Sequence, residues 1–399
     1  MSGHPHTIHL PPPERLVPSK YGLTKLFAIL AIVGLILSVV GALIDKVQFA
    51  YSWFFALYYY FIIALGAFFW VTLHYASNAG WSVLVRRVWE NILALFPLLF
   101  VLFAPLLYPG FSEILWKYMT HENQATLTHA KEWFSPTCFF IKYVLYALYF
   151  CLAGAYYRRQ SIAQDTDGSP VRTRNMIDHS YLALVIFGVL ETFLSFDWLM
   201  GLEWHWSSSL FGAYNFGMCA QIGMAACIVL VAIFRSAGFL SALNSEHFYL
   251  MGKLLFGFTI LWAYFAFGQY LLIWYANIPE ETVFYNLHSN AWGWRSLCFL
   301  IVVGKFMFPT MYLLAQDTKK SLRALTAIAI WLLFMHGIEL YWFIMPYAHP
   351  ATICPSWQDV VSFITVTSIL GFAYIKFTAS ASLIPIRDPR MVESLTVTN

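Results

Sequence analysis

Residues 269–282 read QYLLIWYANIPEET: a run of apolar and aromatic residues meets an Asn-Ile-Pro break and then two adjacent glutamates. Proline disfavours helical backbone at the residue before it, so a long apolar helix is predicted to end near Asn277. A Trp-Tyr pair just before the break is typical of the boundary between membrane and water. The stretch therefore indicates the end of a membrane-spanning helix. The glutamates form either a polar site at that end or an ordinary surface loop.

Composition sets the class of protein. The chain is 60% hydrophobic and 11% charged, whereas soluble domains carry about 25% charged residues. A polytopic membrane protein is therefore expected. The formal net charge of +3 is too small to indicate a nucleic-acid partner.

About ten apolar stretches approach the roughly 20 residues that a helix needs to cross a bilayer. The sequence therefore predicts an all-α fold of about ten transmembrane helices, with no loop long enough for a soluble domain. The predicted spans are 24–44, 52–74, 92–109, 135–157, 180–200, 209–234, 250–275, 294–315, 323–345 and 361–378.

The positive charges predict the orientation. An even number of spans places both termini on one side, and most of the 23 Lys and Arg residues fall on that side. Those that fall elsewhere are Lys46, Lys117, Lys131, Lys142, Arg295 and Lys305. Because cytoplasmic loops are rich in Lys and Arg, both termini are predicted to be cytoplasmic.

Short matches along the chain suggest an internal duplication. Residues 77–81 (SNAGW) follow the second span and 236–239 (SAGF) the sixth; AQDT recurs at 163–166 and 315–318, after the fourth and eighth spans. A shift of four spans preserves orientation, so a parallel repeat of two four-helix bundles with two flanking helices is expected. The resulting divisions are an N-terminal tail (1–23), a first flanking helix (24–51), two bundles (52–208 and 209–350), and a last flanking helix with a tail (351–399).

Ionisable residues inside the spans are the first set of candidates. An intramembrane charge is costly, faces the bundle interior and is a functional hypothesis by default. The candidates for a proton path are Lys142, Glu191, Asp197, Lys305, His336 and Glu339. They form either a proton relay, with Asp197 near the outer exit, or Lys–Glu pairs that lock helices together.

Redox and metal sites receive no support from the sequence. The six cysteines form no C-x-x-C pattern, and a free Cys in a span behaves as a small apolar residue. His336 alone lies in the middle of a span, so a haem held by two histidines is not expected. The chain is expected to bind no metal, to carry no redox centre and to supply no catalytic residue of its own.

Three motifs together resemble a known family. They are residues 269–285, the AGWSVLVRR stretch at 79–87, and FDWLM at 196–200. They are similar to the membrane subunits of alternative complex III, within the NrfD/polysulfide-reductase membrane-anchor superfamily, and the likeness covers essentially the whole chain. It fits the shorter of that complex's two such subunits.

This resemblance implies two four-helix bundles in the inner membrane of a bacterium and a part in a respiratory quinol:cytochrome c oxidoreductase. The implied partners are a paralogous quinol-binding membrane subunit, an iron–sulfur subunit, multihaem cytochrome c subunits, lipid and a terminal oxidase. Haems and iron–sulfur clusters would lie on the partner subunits.

A pocket for menaquinone or ubiquinone is the second hypothesis, because a quinol needs a proton acceptor such as His or a carboxylate beside its hydroxyls. At the outer end of the second bundle the candidates are Trp274, Tyr275, Glu280, Glu281, His288 and Arg295. The same residues would equally suit contact with a neighbouring subunit.

Two other classes of protein remain open. Ten spans with a parallel repeat and buried charges also suit a secondary transporter, although matched broken helices near the membrane centre are not evident in the sequence. A purely structural membrane anchor is the third alternative.

Overall fold

The computed structural model describes residues 12–17, 22–120, 123 and 133–398, and within them every regular element is helical. Ten helices in this part of the chain are long and apolar enough to cross a membrane. In chain order they are Leu23–Ile44, Lys46–Ala76, Gly80–Leu107, Pro136–Asp167, Pro170–Glu203, Phe211–Ser236, Ser245–Ala276, Trp292–Leu314, Leu322–Tyr347 and Trp357–Ala379. The prediction of an all-α, multi-pass membrane protein with ten spans is confirmed.

Some predictions fall outside the described residues. They concern residues 1–11 and 18–21, which make up most of the predicted N-terminal tail, and Lys131.

The second span begins at Lys46, earlier than the predicted residue 52. Asp45 is extended, with a φ of −141°, and its side chain accepts a hydrogen bond of 3.0 Å from the Gln48 backbone N–H. This is N-terminal capping, in which a carboxylate satisfies an otherwise unpaired amide of the first turn. The cap ends the first span and starts the second with no loop between them.

The second and sixth spans form the centre of the molecule, and both are buried over most of their length. Where they cross, Gly66 and Gly223 face each other, and a Cβ on Gly223 would lie 2.6 Å from the Gly66 carbonyl carbon. Only glycine permits so close an approach of two backbones. The Trp70 indole N–H also donates across this interface to the Ala220 carbonyl, at 2.8 Å.

Each central span packs against spans of its own half of the chain, and the fifth span contacts both central spans. The second packs against the third and fifth spans, and the fourth packs against the same two. The sixth packs against the seventh and ninth, and the eighth packs against those two. The tenth span packs against the second, and the first span packs against the tenth.

The stretch at 269–282 has the predicted break and one feature that was not predicted. The seventh span ends at Ala276, and Asn277 takes a left-handed conformation with a φ of 48°. Pro279 then opens a further helix, Pro279–Ser289, where its lack of an N–H costs nothing. Both glutamates lie in the first turn of this helix, where negative charge is favoured by the helix dipole. The predicted surface loop is therefore a short helix.

Two spans are irregular in their middle. The third is interrupted at residues 94–95, and its α-helix resumes at Phe96 with Pro97 in its first turn. The eighth contains a π-helical segment, Val302–Met307. Prolines disturb helical hydrogen bonding, and π-helical turns occur often at functional sites. The sequence had indicated a helix break only near the predicted membrane surface, at Pro279.

Residues 12–17 pack beside the C-terminal segment. The Leu383 N–H donates to the Glu14 carbonyl at 2.8 Å, and the Glu14 carboxylate accepts from the Leu240 N–H at 2.5 Å. Segments from both ends of the chain therefore meet on one side of the helices, together with the turn that follows the sixth span.

Candidate functional site

The ninth span carries the two ionisable residues at the heart of the site. His336 and Glu339 are three residues apart, share one face of the helix and are fully buried. The His336 Nδ1 lies 3.8 Å from Glu339 Oε2. This distance is longer than a hydrogen bond but close enough for strong electrostatic interaction inside a protein.

Glu339 receives polar contacts from three other spans. The Lys305 ammonium of the eighth span forms an ion pair with Oε2, and the Tyr214 hydroxyl of the sixth donates to Oε1. The Trp262 indole N–H of the seventh span also donates to Oε1, at 2.9 Å. One carboxylate therefore joins four helices, so the pairing of helices by opposite charges, one of the two interpretations, is present in the structure.

Lys305 lies on the π-helical segment of the eighth span. Its ammonium is fully buried and lies 4.5 Å from the centre of the Trp262 ring, within the range of a cation–π interaction. A π-helical turn inserts an extra residue and rotates the side chains that follow it. We attribute the orientation of the Lys305 side chain toward Glu339 to this π-helical segment.

His336 has no hydrogen-bond partner at either ring nitrogen within the described residues. Its ring packs against Tyr59, with 4.8 Å between ring centres. Beside a carboxylate, an imidazole with free ring nitrogens is suited to accepting and passing on a proton.

Glu191 occupies a different kind of environment. It is buried in the fifth span and accepts a hydrogen bond of 2.6 Å from the Asn215 amide. The Asn215 oxygen accepts in turn from the Tyr58 hydroxyl, at 3.0 Å. No cation pairs with Glu191 anywhere in the described ranges.

The sixth span connects the two buried carboxylates. Its consecutive residues Tyr214 and Asn215 contact Glu339 and Glu191 respectively. Adjacent residues on a helix point in different directions, so the two carboxylates approach this span from different sides. The structure thus places four of the six predicted proton-path residues in two neighbouring clusters: Lys305, His336 and Glu339 in one, and Glu191 in the other.

A third cluster contains the remaining two proton-path candidates. Lys142 of the fourth span pairs with Asp197 of the fifth, and the Tyr146 hydroxyl donates to Asp197 at 2.6 Å. The Lys142 ammonium also lies 3.8 Å from the centre of the Trp133 ring. This group lies near the end of the fifth span, away from Glu191, and joins two helices of the first half of the chain.

A cavity of about 780 Å³ lies between the seventh and eighth spans. Its walls are mainly aromatic, and outward-facing residues such as Tyr264 and Phe299 (70% exposed) form its open side. Glu339 and Tyr214 line its inner end. The cavity therefore connects the lipid-facing surface with the buried carboxylate.

A second group of polar residues lines the cavity closer to the Pro279 break: Gln269, Tyr285, Ser289 and Arg295. The Gln269 amide lies 3.4 Å from the Tyr285 hydroxyl, and the Arg295 side chain donates to the Ser289 carbonyl at 3.1 Å. An apolar cavity with a few converging polar groups is the usual form of a small-molecule site.

Of the six residues predicted to surround a quinone pocket, Arg295 alone lines this cavity. Those outside its lining are Trp274, Tyr275, Glu280, Glu281 and His288. The left-handed turn at Asn277 carries the chain away from the seventh span, which leaves Tyr275 84% exposed and Glu280 on the surface.

His288 is buried behind the cavity wall. Its Nδ1 lies 2.7 Å from the Phe284 carbonyl and its Nε2 3.2 Å from the Phe343 carbonyl. Burial lowers the pKa of His288 to about 4, so the imidazole is neutral near pH 7. A neutral ring donates only one N–H, so one of the two carbonyl contacts is not a hydrogen bond.

The AGWSVLVRR motif has a structural position that the sequence did not reveal. Arg86 is buried and pairs with Asp388, and the Arg87 guanidinium lies 2.5 Å from the Asp165 carboxylate. Arg87 also donates to the Ser382 carbonyl at 3.0 Å. The two arginines therefore bind the C-terminal segment to the ends of the third and fourth spans.

Sequence reasoning missed the aromatic members of the site. Tyr214 and Trp262 donate to Glu339, and Tyr58 donates to the group around Glu191. The chain has 24 Tyr and 16 Trp, so their presence alone carries no signal. Asn215 and Gln269 were recognisable as polar residues inside spans, and both belong to the observed networks.

Within the described residues, no group of three His, Cys, Asp or Glu side chains is arranged to hold a metal ion, and all six cysteines are free. Comparison with models of known protein families and with curated proteins finds no match to this chain.

Proposed function

We propose that this chain is an integral membrane subunit of a respiratory quinol:electron-acceptor oxidoreductase, of the shorter, ActF type found in alternative complex III. It would lie in the inner membrane of a bacterium with both termini in the cytoplasm. The observation that carries the proposal is the cavity between the seventh and eighth spans, which opens to the lipid-facing surface and ends at buried Glu339.

A quinone suits this cavity for three reasons. Its volume of about 780 Å³ falls within the roughly 300–1,000 Å³ usual for small-molecule sites. Its open side faces the bilayer, in which menaquinone and ubiquinone dissolve. Its aromatic walls match a flat ring, and Gln269, Tyr285 and Arg295 supply hydrogen-bond donors for ring oxygens.

Glu339 supports a role in proton transfer. Oxidation of a quinol to a quinone releases two protons and two electrons, and the protons need an acceptor near the hydroxyls. Glu339 lines the cavity, and His336 lies 3.8 Å beyond it. Glu191 belongs to the neighbouring cluster across the sixth span. In this proposal the electrons pass to iron–sulfur clusters and haems of partner subunits.

The helix contacts support the proposed two-bundle architecture. The second span packs against the third and fifth spans. The sixth span packs against the seventh and ninth, so the pattern repeats after four spans. The fourth and eighth spans are related in the same way. The Gly66–Gly223 contact joins the two central helices, which are the first spans of the two proposed repeats. The first and tenth spans then lie outside both bundles.

Filling the cavity tests the proposal. Replacing Ala266, a lining residue, with Trp should lower the affinity for a quinone analogue at least tenfold, because the indole occupies the space of a ring. Val185→Trp is the matched control, since Val185 is 65% exposed on the fifth span and does not line the cavity. Titration of the analogue against the purified protein measures the effect. Equal affinity in Ala266→Trp and the wild-type protein would remove the quinone pocket.

One observation favours a secondary transporter instead. The third and eighth spans are both interrupted near their middle, and discontinuous helices are common around transported solutes. Purification of the tagged chain discriminates the two. Co-purification with multihaem cytochrome and iron–sulfur subunits is the result expected here. A chain that purifies alone and moves a solute into vesicles would be a transporter. A chain that purifies alone and moves no solute would be a structural anchor.

A further inference from the structure

Three lysines surround one tyrosine ring near the start of the seventh span. The ammonium nitrogens of Lys253, Lys320 and Lys319 lie 4.5, 5.2 and 6.0 Å from the centre of the Tyr249 ring. The ring face attracts each cation. The three charges nevertheless repel one another, since they lie within about the 10 Å over which charges act at 0.1 M salt. We call these three residues the lysine cluster.

The lysine cluster keeps an excess of positive charge. Glu246 pairs with Lys320 at 3.3 Å. The Lys319 ammonium donates to the carbonyls of Leu313 and Leu314, at 2.7 and 3.3 Å. Carbonyls at the end of a helix carry only a partial negative charge. Lys253 is exposed, and no carboxylate pairs with it in the described ranges. One carboxylate therefore faces three ammonium groups.

The position of Lys319 is fixed by close packing. A Cβ on Gly252 would lie 2.9 Å from the Lys319 Cβ and 3.2 Å from its Cα, so only glycine lets this turn lie against the seventh span. Burial, and the Lys253 ammonium nearby, hold the pKa of Lys319 below its ordinary value. Bringing like charges together in this way is unfavourable unless an anion joins them.

We propose that the lysine cluster binds the phosphate headgroup of an anionic phospholipid. The cluster lies where the seventh span begins and the eighth ends, on the side predicted to be cytoplasmic, where the membrane surface is negatively charged. Basic pockets between membrane helices on this side are suited to such headgroups.

The surface next to the cluster suits the acyl chains. On the seventh span Gly257 is exposed with open space beside it, and Ile260 is 42% exposed one turn further on. On the eighth span Met311 and Leu314 are exposed as well. A phosphate on the lysines would therefore place its acyl chains along apolar helix faces. The three lysines and Tyr249 do not line the cavity, and lipid binding at this cluster does not depend on a quinone.

Native mass spectrometry of the full-length chain, with whatever subunits accompany it, tests the proposal. Micelles doped with phosphatidylglycerol supply the anionic lipid, and phosphatidylethanolamine the zwitterionic one. The wild-type protein should retain phosphatidylglycerol preferentially. Lys253→Gln with Lys320→Gln should weaken that binding about thirtyfold, since each lysine near an anionic surface contributes roughly fivefold.

The control is Arg159→Gln, an exposed cation on the same predicted side and far along the chain. It should leave lipid retention unchanged. Lys253→Gln alone should weaken binding without affecting the fold, because this exposed side chain makes no ion pair in the described residues. Three results would overturn the proposal: undiminished binding in the double variant, an equal loss in Arg159→Gln, or displacement of the lipid by millimolar inorganic phosphate.

Discussion

Glu339→Gln should lower the yield of folded protein, and adding Lys305→Met should restore that yield but not quinol oxidation. Glu339 and Lys305 are both fully buried and paired. Removing one partner of such a pair costs about 3–5 kcal/mol, because the other charge is left buried without compensation. The double variant buries no charge, and the amide still accepts from Tyr214 and Trp262. Thermal unfolding in detergent and quinol-dependent turnover of the assembled complex measure the two effects.

This double variant separates the two interpretations of the buried charges. If the pair only holds the eighth span to the ninth, the neutral pair recovers folding and turnover together. If Glu339 accepts protons, turnover stays low in a fully folded protein. The matched control is Lys142→Met with Asp197→Asn, a pair of the same chemistry that does not line the cavity. That variant should keep its turnover, because Lys142 and Asp197, although candidates from the sequence, lie outside the proton path proposed from the structure. Wild-type turnover in Lys305→Met/Glu339→Gln would exclude Glu339 from proton transfer.

The sequence was sufficient for the membrane architecture because length and apolarity decide it. Each of the ten apolar runs became a helix of membrane length. The end of the seventh span was predictable from Pro279, since proline acts on the local backbone. The start of the second span was missed because the Asp45 cap is a single side-chain contact. Local rules therefore predicted the existence of the helices well and the residues at which they begin and end less well.

The candidate site depended on contacts between distant parts of the chain. Hydropathy identified Glu191, Lys305, His336 and Glu339 because a charge inside an apolar run is conspicuous. It did not indicate that Lys305 would meet Glu339, since a π-helical turn in the eighth span sets that direction. At the Pro279 break the residue types suggested a pocket.

The structure places Glu280 on the surface after the left-handed turn at Asn277, and Arg295 at the cavity. The sequence did not indicate that the C-terminal segment packs against the third span. Its contact with Arg86 joins residues about 300 positions apart, at Asp388. Neither periodicity nor composition reports such a pairing.

Glu191→Gln should leave the fold intact and reduce proton-coupled turnover at least tenfold. Among the described residues no cation pairs with Glu191, and its Oε1 accepts from the Asn215 amide at 2.6 Å. A glutamine oxygen accepts the same hydrogen bond, so the unfolding temperature should change little. An amide does not exchange a proton near neutral pH, and loss of a proton-transferring group typically costs 10²–10⁴ in rate. Quinol-dependent electron transfer and protons released per electron, both in proteoliposomes, measure the effect.

Two further variants show whether the carboxyl group itself matters. Glu191→Asp keeps an ionisable group and should retain part of the turnover. Thr259→Val removes a 3.0 Å hydrogen bond that the Gln221 amide donates to the Thr259 hydroxyl. This buried contact joins the sixth and seventh spans outside the proposed proton path. The variant should therefore leave turnover unchanged. A Glu191→Gln protein with the wild-type rate and proton yield would reduce Glu191 to a hydrogen-bond acceptor that holds the fifth span against the sixth. Proton transfer would then have to rest on His336 and Glu339 alone.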